Sequence, residues 1–200
     1  MGAVLSEVTQ SAAVQEAKQV KQRSEKDAGD PPVSKSDDET VSFLPEERFR
    51  ARVLQQFENL RVELEALVPG ADIQHVGSTA ILGSLTKGDL DVQVRVVASK
   101  YSPAKDRLSR IYQVNLGGFA ADDAISFEDY RSEPHIGIHL TVIGGSADIQ
   151  WRFRDLLKAS ESLRREYDDL KRQFEGGSMS KYRDAKERFV TRVLDGSAAA

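Results

Sequence analysis

The chain has 200 residues, of which 40% are hydrophobic and 30% are charged, and its formal net charge is −4. This composition is typical of a globular protein with one domain, and the acidic balance argues against a broad basic surface for nucleic acid. The absence of cysteine excludes disulfides, thiolate zinc sites and cysteine nucleophiles. No apolar run reaches the length of a membrane span and no secretory signal pattern opens the chain, so we expect a cytoplasmic protein without membrane contact.

Residues 1–42 predict a disordered tail. They are rich in Ser, Gln, Lys, Glu and Asp, and they hold almost no large apolar side chain that could anchor them to a core. Pro31 and Pro32 would stop any transient helix in this stretch. We therefore expect one folded domain over residues 43–195, followed by a disordered end at residues 196–200.

Residues 45–68 predict an amphipathic helix. Pro45 suits the first turn of a helix, because its fixed backbone angle is helical and its missing N–H is not needed there. Large apolar side chains follow three- and four-residue spacing and predict one buried face, formed by Phe49, Val53, Phe57, Leu60, Leu64 and Leu67. Pro69 and Gly70 end this helix, and a short strand is expected at residues 72–76.

Residues 90–97 predict a half-buried strand, because polar and apolar side chains alternate along it. The apolar face would hold Leu90, Val92, Val94 and Val96, and the polar face Asp89, Asp91, Gln93 and Arg95. Side chains two positions apart on a strand point the same way, so Asp89 and Asp91 would leave the sheet together and could share a hard cation such as Mg²⁺. The alternative is an exposed strand edge whose charges discourage aggregation.

The remaining elements predict a mixed domain. Ser102 and Pro103 are expected to begin a helix that runs to Tyr112. Two further strands are expected over residues 125–131 and 136–143. The C-terminal third predicts three helices, over residues 149–159, 161–174 and 180–194. This order of elements predicts an α/β or α+β fold, in which helices flank a small mixed β-sheet and the C-terminal third is helical.

The dipeptide Gly77-Ser78 lies a short loop before the two carboxylates. Glycine lets the backbone approach a ligand closely, and a serine hydroxyl beside exposed N–H groups suits a phosphate. Lys87, within the same loop, would neutralise phosphate charge. These residues favour a site that holds a triphosphate together with its Mg²⁺. The alternatives are an ordinary turn, a helix cap made by Ser78, and a solvated surface lysine at position 87.

The stretch from Gly77 to Val92 resembles the signature of the nucleotidyltransferase superfamily. In that signature, Gly-Ser and a spacer precede a strand of acid, apolar, acid and apolar residues, which here reads Asp89-Leu90-Asp91-Val92. The wider run HVGSTAILGSLTKGDLDVQV, which begins at His75, is similar to the motif of the GrpB family. The helical end is also similar to that family, at Phe153-Arg154-Asp155-Leu156-Leu157, Tyr167, Leu170-Lys171, Tyr182, Lys186 and Phe189.

The resemblance implies a nucleotidyltransferase-like fold over residues 45–194. It implies metal-dependent transfer of a nucleotidyl group from a nucleoside triphosphate to an unknown acceptor. Asp89 and Asp91 would be the catalytic ligands of Mg²⁺ or Mn²⁺, and the nucleotide would be bound by Gly77, Ser78 and Lys87. Nucleic acid is not the favoured partner, because the chain is acidic overall.

Departures from the family pattern bear on this function. The family usually has proline where this chain has Gly88. It commonly has an aliphatic residue where this chain has Asp89, so this chain carries the full pair of acids. The superfamily expects a third acid on a neighbouring strand, but the polar face of residues 136–143 presents Gly137, His139 and Thr141. His139 would then be a metal ligand or a base, and as a ligand it would favour Mn²⁺ or Zn²⁺. The missing acid leaves open a catalytically inactive module that binds a nucleotide or a coenzyme A-related ligand.

Four further side chains bear on the site. Arg131, Arg152 and Arg154 are candidates for a basic wall that holds phosphate, although Arg152 and Arg154 are two positions apart on a helix and cannot face the same way. His75 is expected to support the turn that follows it rather than to react.

Overall fold

The computed structural model describes residues 40–118 and 120–198. The tail predicted for residues 1–42 therefore lies outside the described residues, except for its last three positions. Val41 is buried, and its amide donates to the carbonyl of Gly177, so packed structure begins before the domain boundary predicted at residue 43.

The described residues form five α-helices and eight β-strands, with short 3-10 turns at Glu46–Arg48 and Ser78–Ala80. The helices are α1 (Arg50–Leu67), α2 (Ala98–Leu108), α3 (Gln150–Ala159), α4 (Glu161–Gln173) and α5 (Met179–Ala198). The strands are β1 (Leu44–Pro45), β2 (Asp72–Val76), β3 (Leu85–Thr86), β4 (Leu90–Val96), β5 (Gln113–Val114), β6 (Ala120–Ala121), β7 (Ala124–Asp129) and β8 (Ile136–Val142). None of the helices in the described ranges has the length and apolar character needed to cross a membrane.

The main sheet has six strands in the order β2-β4-β8-β7-β5, and β6 also pairs with β7. Strands β4 and β8 are parallel, and the other pairings are antiparallel. A separate two-stranded ladder joins β1 to β3. The mixed sheet, its flanking helices and the helical C-terminal third confirm the fold class that the sequence predicts.

One face of the sheet is apolar and forms the main core with α1 and α2. The alternation predicted for β4 is confirmed, because its four apolar side chains at positions 90, 92, 94 and 96 are all buried. On α1, Val53, Leu60 and Leu64 are buried, and the other apolar side chains of its predicted face pack partly exposed against the same cluster. Removal of this apolar surface from water drives the packing of both helices onto the sheet.

The opposite face of the sheet is polar, and part of it is a structural network. Arg95 donates through Nε and Nη2 to the two carboxylate oxygens of Asp148, at 2.6 and 2.8 Å. Gln93 Nε2 donates to Asp148 Oδ1 and to Thr141 Oγ1, both at 3.0 Å, and Gln93 Oε1 accepts from the amide of Trp151 at 3.0 Å. These bonds attach the start of α3 to the sheet.

Two predicted helix starts are wrong. Helix α2 begins at Ala98 and ends at Leu108, so Pro103 lies inside it rather than at its start. The reason is packing, because Tyr101, Ala104 and Leu108 bury one face of the earlier helix. Helix α1 begins at Arg50 rather than at Pro45, because residues 44–45 form the two-stranded ladder with β3.

The predicted end of the last helix is also wrong. Helix α5 continues through Gly196 to Ala198, so residues 196–198 are helical instead of disordered. Glycine lowers helix propensity by about 1 kcal/mol, which is too little to end a helix by itself.

Candidate functional site

A cavity of about 340 Å³ lies between the polar face of the sheet and the C-terminal helices. Its polar lining includes Ser78, Lys87, Asp89, Asp91, His139, Arg154 and Lys186. Its apolar and aromatic lining includes Phe43, Ile81, Phe153, Tyr167, Tyr182 and Val190. A volume of this size is at the lower end of the range for small-molecule sites, and a lining with both charged and apolar side chains suits a ligand with a charged group.

The carboxylate of Asp91 lies between two glycines. In the sheet, Asp91 is opposite Val76, which precedes Gly77, on one side and opposite Gly137 on the other. A Cβ at Gly77 would be 2.2 Å from Asp91 Oδ2, and a Cβ at Gly137 would be 2.9 Å from Asp91 Oδ1. Gly77 also has a φ of +73°, which side chains other than glycine rarely adopt. The Gly77-Ser78 turn can therefore pack directly against Asp91 only because position 77 is glycine.

Lys87 and Asp89 form an ion pair at the edge of the cavity. Lys87 Nζ lies 2.8 Å from Asp89 Oδ2, and both side chains are about one third exposed. With Gly77, Ser78, Asp91 and His139 also in the lining, the structure brings the nucleotide-binding and metal-binding residues proposed from the sequence to one cavity.

His139 connects Asp91 to the neighbouring strands. Its Nε2 lies 3.6 Å from Asp91 Oδ1, and its Nδ1 lies 3.1 Å from the hydroxyl of Ser126 on β7. Burial would raise the pKa of Asp91, but contact with His139 and the positive charges of Lys186 and Lys87 outweigh burial and lower that pKa. Asp91 is therefore held as an anion, which is the state that a cation requires.

The described ranges contain no cluster of three or more Asp, Glu, His or Cys side chains close enough to hold a metal ion. A third acid is expected on a neighbouring strand, and the residue opposite Asp91 on the neighbouring strand β8 is Gly137. Asp89, Asp91 and His139 share the cavity, but they do not converge on one point. Carboxylate oxygens suit Mg²⁺ or Mn²⁺, and the remaining ligands of such an ion would come from water and from phosphate oxygens.

The helical wall of the cavity supplies residues that strand periodicity did not indicate. The hydroxyls of Tyr167 and Tyr182 lie 3.5 Å apart, and burial raises the pKa of Tyr167 to about 12. Lys186 lines the cavity, and no ion pair within the described residues holds its ammonium group. All three belong to the helical segments that resemble the GrpB family, which was the signal available in the sequence.

Of the three candidate arginines, Arg154 alone lines the cavity. Its Nη1 donates to the carbonyl of His75 at 2.7 Å and to Gln74 Oε1 at 3.0 Å. Arg131 is 85% exposed and pairs with Asp129. The prediction of a basic wall of three arginines is therefore wrong. The helix turns Arg152 away from Arg154, and Arg131 lies in a loop outside the site.

His75 supports the loop that carries Asp89. The hydroxyl of Thr79 donates to the carbonyl of Asp89 at 2.9 Å, so this hydroxyl must accept the bond from His75 Nε2 at 3.2 Å. His75 therefore carries a proton on Nε2. Its ring also stacks on Phe57, with the ring centroids 5.1 Å apart. Burial is the main reason that the pKa of His75 falls from 6.5 to about 4.

This pKa predicts a loss of stability in mild acid. An unfolded histidine takes up a proton near pH 6.5, whereas folded His75 resists protonation until about pH 4, so folding is favoured fully above pH 6.5 and less as the pH falls to 4. The shift corresponds to at most about 3 kcal/mol. Urea unfolding between pH 4 and 7 should show this slope in the wild type and a shallower one in His75→Gln, which keeps a donor in place of Nε2. Equal slopes would contradict the assignment.

The loop before Asp89 also differs from the proline-containing family pattern. Gly88 has a φ of +96°, whereas proline is restricted to about −65°. A Cβ at this position would lie 2.6 Å from the ring of Phe49. Gly88 therefore lets the loop pass closely over α1 on its way to Asp89.

Comparison with known proteins identifies the family. The mixed sheet and the glycine-serine turn packed against a strand aspartate are the structural form of the motif found in the sequence. The sequence model of the GrpB protein matches residues 47–196. The chain belongs to the GrpB family, which confirms the resemblance.

Three individual proteins that this chain is similar to are one relative and two solved structures. The UPF0157 protein of Vibrio cholerae is 26% identical over 156 residues, which cover 78% of this chain and 83% of that protein. The crystal structure of the conserved protein GrpB from Enterococcus faecalis matches with a TM-score of 0.60 and 19% identity. The match covers 78% of this chain and 98% of the Enterococcus chain, so the two proteins share a fold. A structure of the Cid1 poly(U) polymerase with MgGTP has a TM-score of 0.44 and 14% identity, over 62% of this chain and 40% of the polymerase.

Proposed function

We propose that this chain is a metal-dependent nucleotidyltransferase, which transfers a nucleotidyl group from a nucleoside triphosphate to an acceptor. The observation that carries the proposal is the position of the Gly77-Ser78 turn, which packs directly against Asp91 in a cavity that Asp89 also lines. A phosphate held by the turn would lie beside both carboxylates. This is the arrangement needed to hold a triphosphate through a shared divalent cation.

Each polar group of the cavity has a role in this proposal. Asp89 and Asp91 would hold Mg²⁺ or Mn²⁺, which when bound would stabilise the charge on the transferred phosphate and on the leaving pyrophosphate. The ammonium groups of Lys87 and Lys186 would neutralise the triphosphate. His139, which lines the same cavity, would either complete the ligands of the metal or accept the proton of the attacking hydroxyl.

The reaction follows from this placement. An oxygen of the acceptor attacks the α-phosphorus, the bond from that phosphorus to the bridging oxygen breaks, and pyrophosphate leaves with the bonding electrons. The proton of the acceptor passes to a base in the cavity or to water. Catalysis comes mainly from positioning and from charge neutralisation.

The aromatic side chains that line the cavity suit the nucleoside. Phe43 and Tyr182 meet edge to face with their ring centroids 5.0 Å apart, and both line the cavity. Aromatic side chains provide apolar surfaces on which a base can pack. The triphosphate would then point towards the sheet, where the carboxylates and lysines lie.

A catalytically inactive module is the second candidate, and one observation favours it. The residue opposite Asp91 on the neighbouring strand β8 is Gly137 rather than a third acid, and the candidate metal ligands within the described ranges do not converge. Such a module would keep the cavity and bind a nucleotide or a coenzyme A-related ligand without transferring a group.

The test is incubation of the full chain with each labelled nucleoside triphosphate, with Mg²⁺ or Mn²⁺. Mass analysis would then look for transferred nucleotide on protein, RNA and small metabolites, together with released pyrophosphate. Metal-dependent transfer is the expected result. Binding without transfer to any acceptor would favour the inactive module, and the absence of both would reject the two candidates. The cytoplasmic compartment stays a prediction from the sequence.

A further inference from the structure

A second carboxylate and imidazole meet on the polar face of the sheet, beside the site already described. Glu128 on β7 lies opposite Gly137, and Asp91 on β4 lies opposite the same glycine from the other side. His135 and His139 come two positions before and after Gly137. Two diagonal pairs therefore surround this glycine, namely Asp91 with His139 and Glu128 with His135.

The two pairs have nearly equal separations. Asp91 Oδ1 and His139 Nε2 are 3.6 Å apart, and Glu128 Oε2 and His135 Nε2 are 3.8 Å apart. Both distances are too long for a hydrogen bond. They are close to the separation of about 3.4 Å expected between two ligands of one tetrahedral ion with bonds of about 2.1 Å.

The two facing atoms of the Glu128 pair are buried and lack hydrogen bonds. Glu128 is 5% exposed, and neither its Oε2 nor Nε2 of His135 has a hydrogen-bond partner. A buried carboxylate oxygen without a partner costs free energy, so this pair favours a ligand between its members. The His135 side chain is 27% exposed, and its ring stacks on Tyr130 with the ring centroids 4.7 Å apart.

We propose that Glu128 and His135 bind a divalent cation of the zinc type, with water completing the coordination. A carboxylate and an imidazole nitrogen suit Zn²⁺ or Mn²⁺ better than Mg²⁺, which prefers oxygen ligands throughout. Neither residue lines the cavity of the proposed nucleotide site. The cation site is therefore separate from nucleotidyl transfer and can exist whether or not transfer occurs.

The sequence contains three histidines, which makes a direct test practical. The full chain would be titrated with Zn²⁺ at pH 7.5 while NMR follows the three imidazoles. The His135 signals are expected to shift as Zn²⁺ binds, whereas those of His75 should stay in place because Thr79 holds its Nε2. Glu128→Gln should weaken the His135 response by at least about tenfold. The matched change Glu187→Gln, at an exposed position on α5, should leave that response unchanged.

A second variant protects the test against misfolding. His135→Gln changes a partly exposed side chain, and calorimetry should show that it binds one Zn²⁺ ion fewer than the wild type. The proposal is rejected if His135 does not respond to Zn²⁺, or if Glu128→Gln binds as well as the wild type. None of these outcomes depends on nucleotide transfer.

Discussion

Replacement of Asp91 by asparagine is expected to lower metal-dependent nucleotidyl transfer by at least about 10²–10³-fold, the range found when one preorganised electrostatic contact to a transition state is lost. The change keeps the shape of the side chain but removes the charge that a cation requires. The steric fit between Gly77 and Gly137 should be preserved, because the amide has the size of the carboxylate. Nucleotide affinity in the presence of Mg²⁺ should fall with the rate, whereas affinity without metal should change little.

The measurement is calorimetric titration of nucleotide with and without Mg²⁺, together with the transfer assay. Asp106→Asn is the matched control, because it removes the same charge from an exposed position on α2 outside the cavity. Thermal unfolding should show both variants folded. Wild-type metal-dependent binding in Asp91→Asn would remove Asp91 from the proposed site.

Replacement of Lys171 by methionine is expected to destabilise the protein by about 3–5 kcal/mol, the usual cost of leaving one partner of a buried ion pair alone. Lys171 is fully buried on α4, and its Nζ donates to Asp168 at 3.0 Å, to the Ser84 hydroxyl at 2.9 Å and to the Leu85 carbonyl at 2.6 Å. Asp168 accepts from the Leu85 amide at 2.9 Å. The pair thus holds both backbone groups of Leu85, in the segment that leads to Lys87.

Urea unfolding of a double-mutant cycle would measure this interaction. Asp168→Asn keeps an oxygen that can accept from Leu85 but removes the charge, so Lys171→Met with Asp168→Asn should be more stable than Lys171→Met alone. If Lys171→Met costs no more than an ordinary surface substitution, the buried pair does not hold the loop.

The same lysine predicts a pH dependence of the same sign as that of His75, but in alkaline solution. Burial lowers the pKa of Lys171 from 10.5 to about 8, against the opposing effect of Asp168. Between these two pH values the unfolded chain binds more protons than the folded one, so this group adds stability as the pH rises. Unfolding between pH 8 and 9.5 should show a rise in the wild type that is smaller in Lys171→Met.

Much of the fold follows from local patterns in the sequence. Alternating side chains predicted β4 and β8 together with the faces that they bury, and three- and four-residue spacing predicted the core face of α1. These predictions succeed because the periodicity of a strand or helix is written in consecutive residues and does not depend on what packs against it. The two-residue strands β1, β3, β5 and β6 were missed, because such short pairings have no periodicity of their own.

Within the site, the sequence by itself determined the acidic strand and the glycine-serine turn, because the spacing of Asp89 and Asp91 on one strand places them on one face. It could not show that α3, α4 and α5 close the cavity with Arg154, Tyr167, Tyr182 and Lys186. Residues distant along the chain meet only when the helices pack, and a helical pattern does not say which surface its polar side will face.

Strand register was the other feature that tertiary structure alone decided. Strands β4 and β8 are parallel and β7 is antiparallel to β8, and this pairing places Gly137 between Asp91 and Glu128. A shift of one residue would reverse the side chains of a strand and separate all four groups. The sequence therefore specified which carboxylates and imidazoles were available, and the hydrogen-bond register of three strands decided which of them became neighbours.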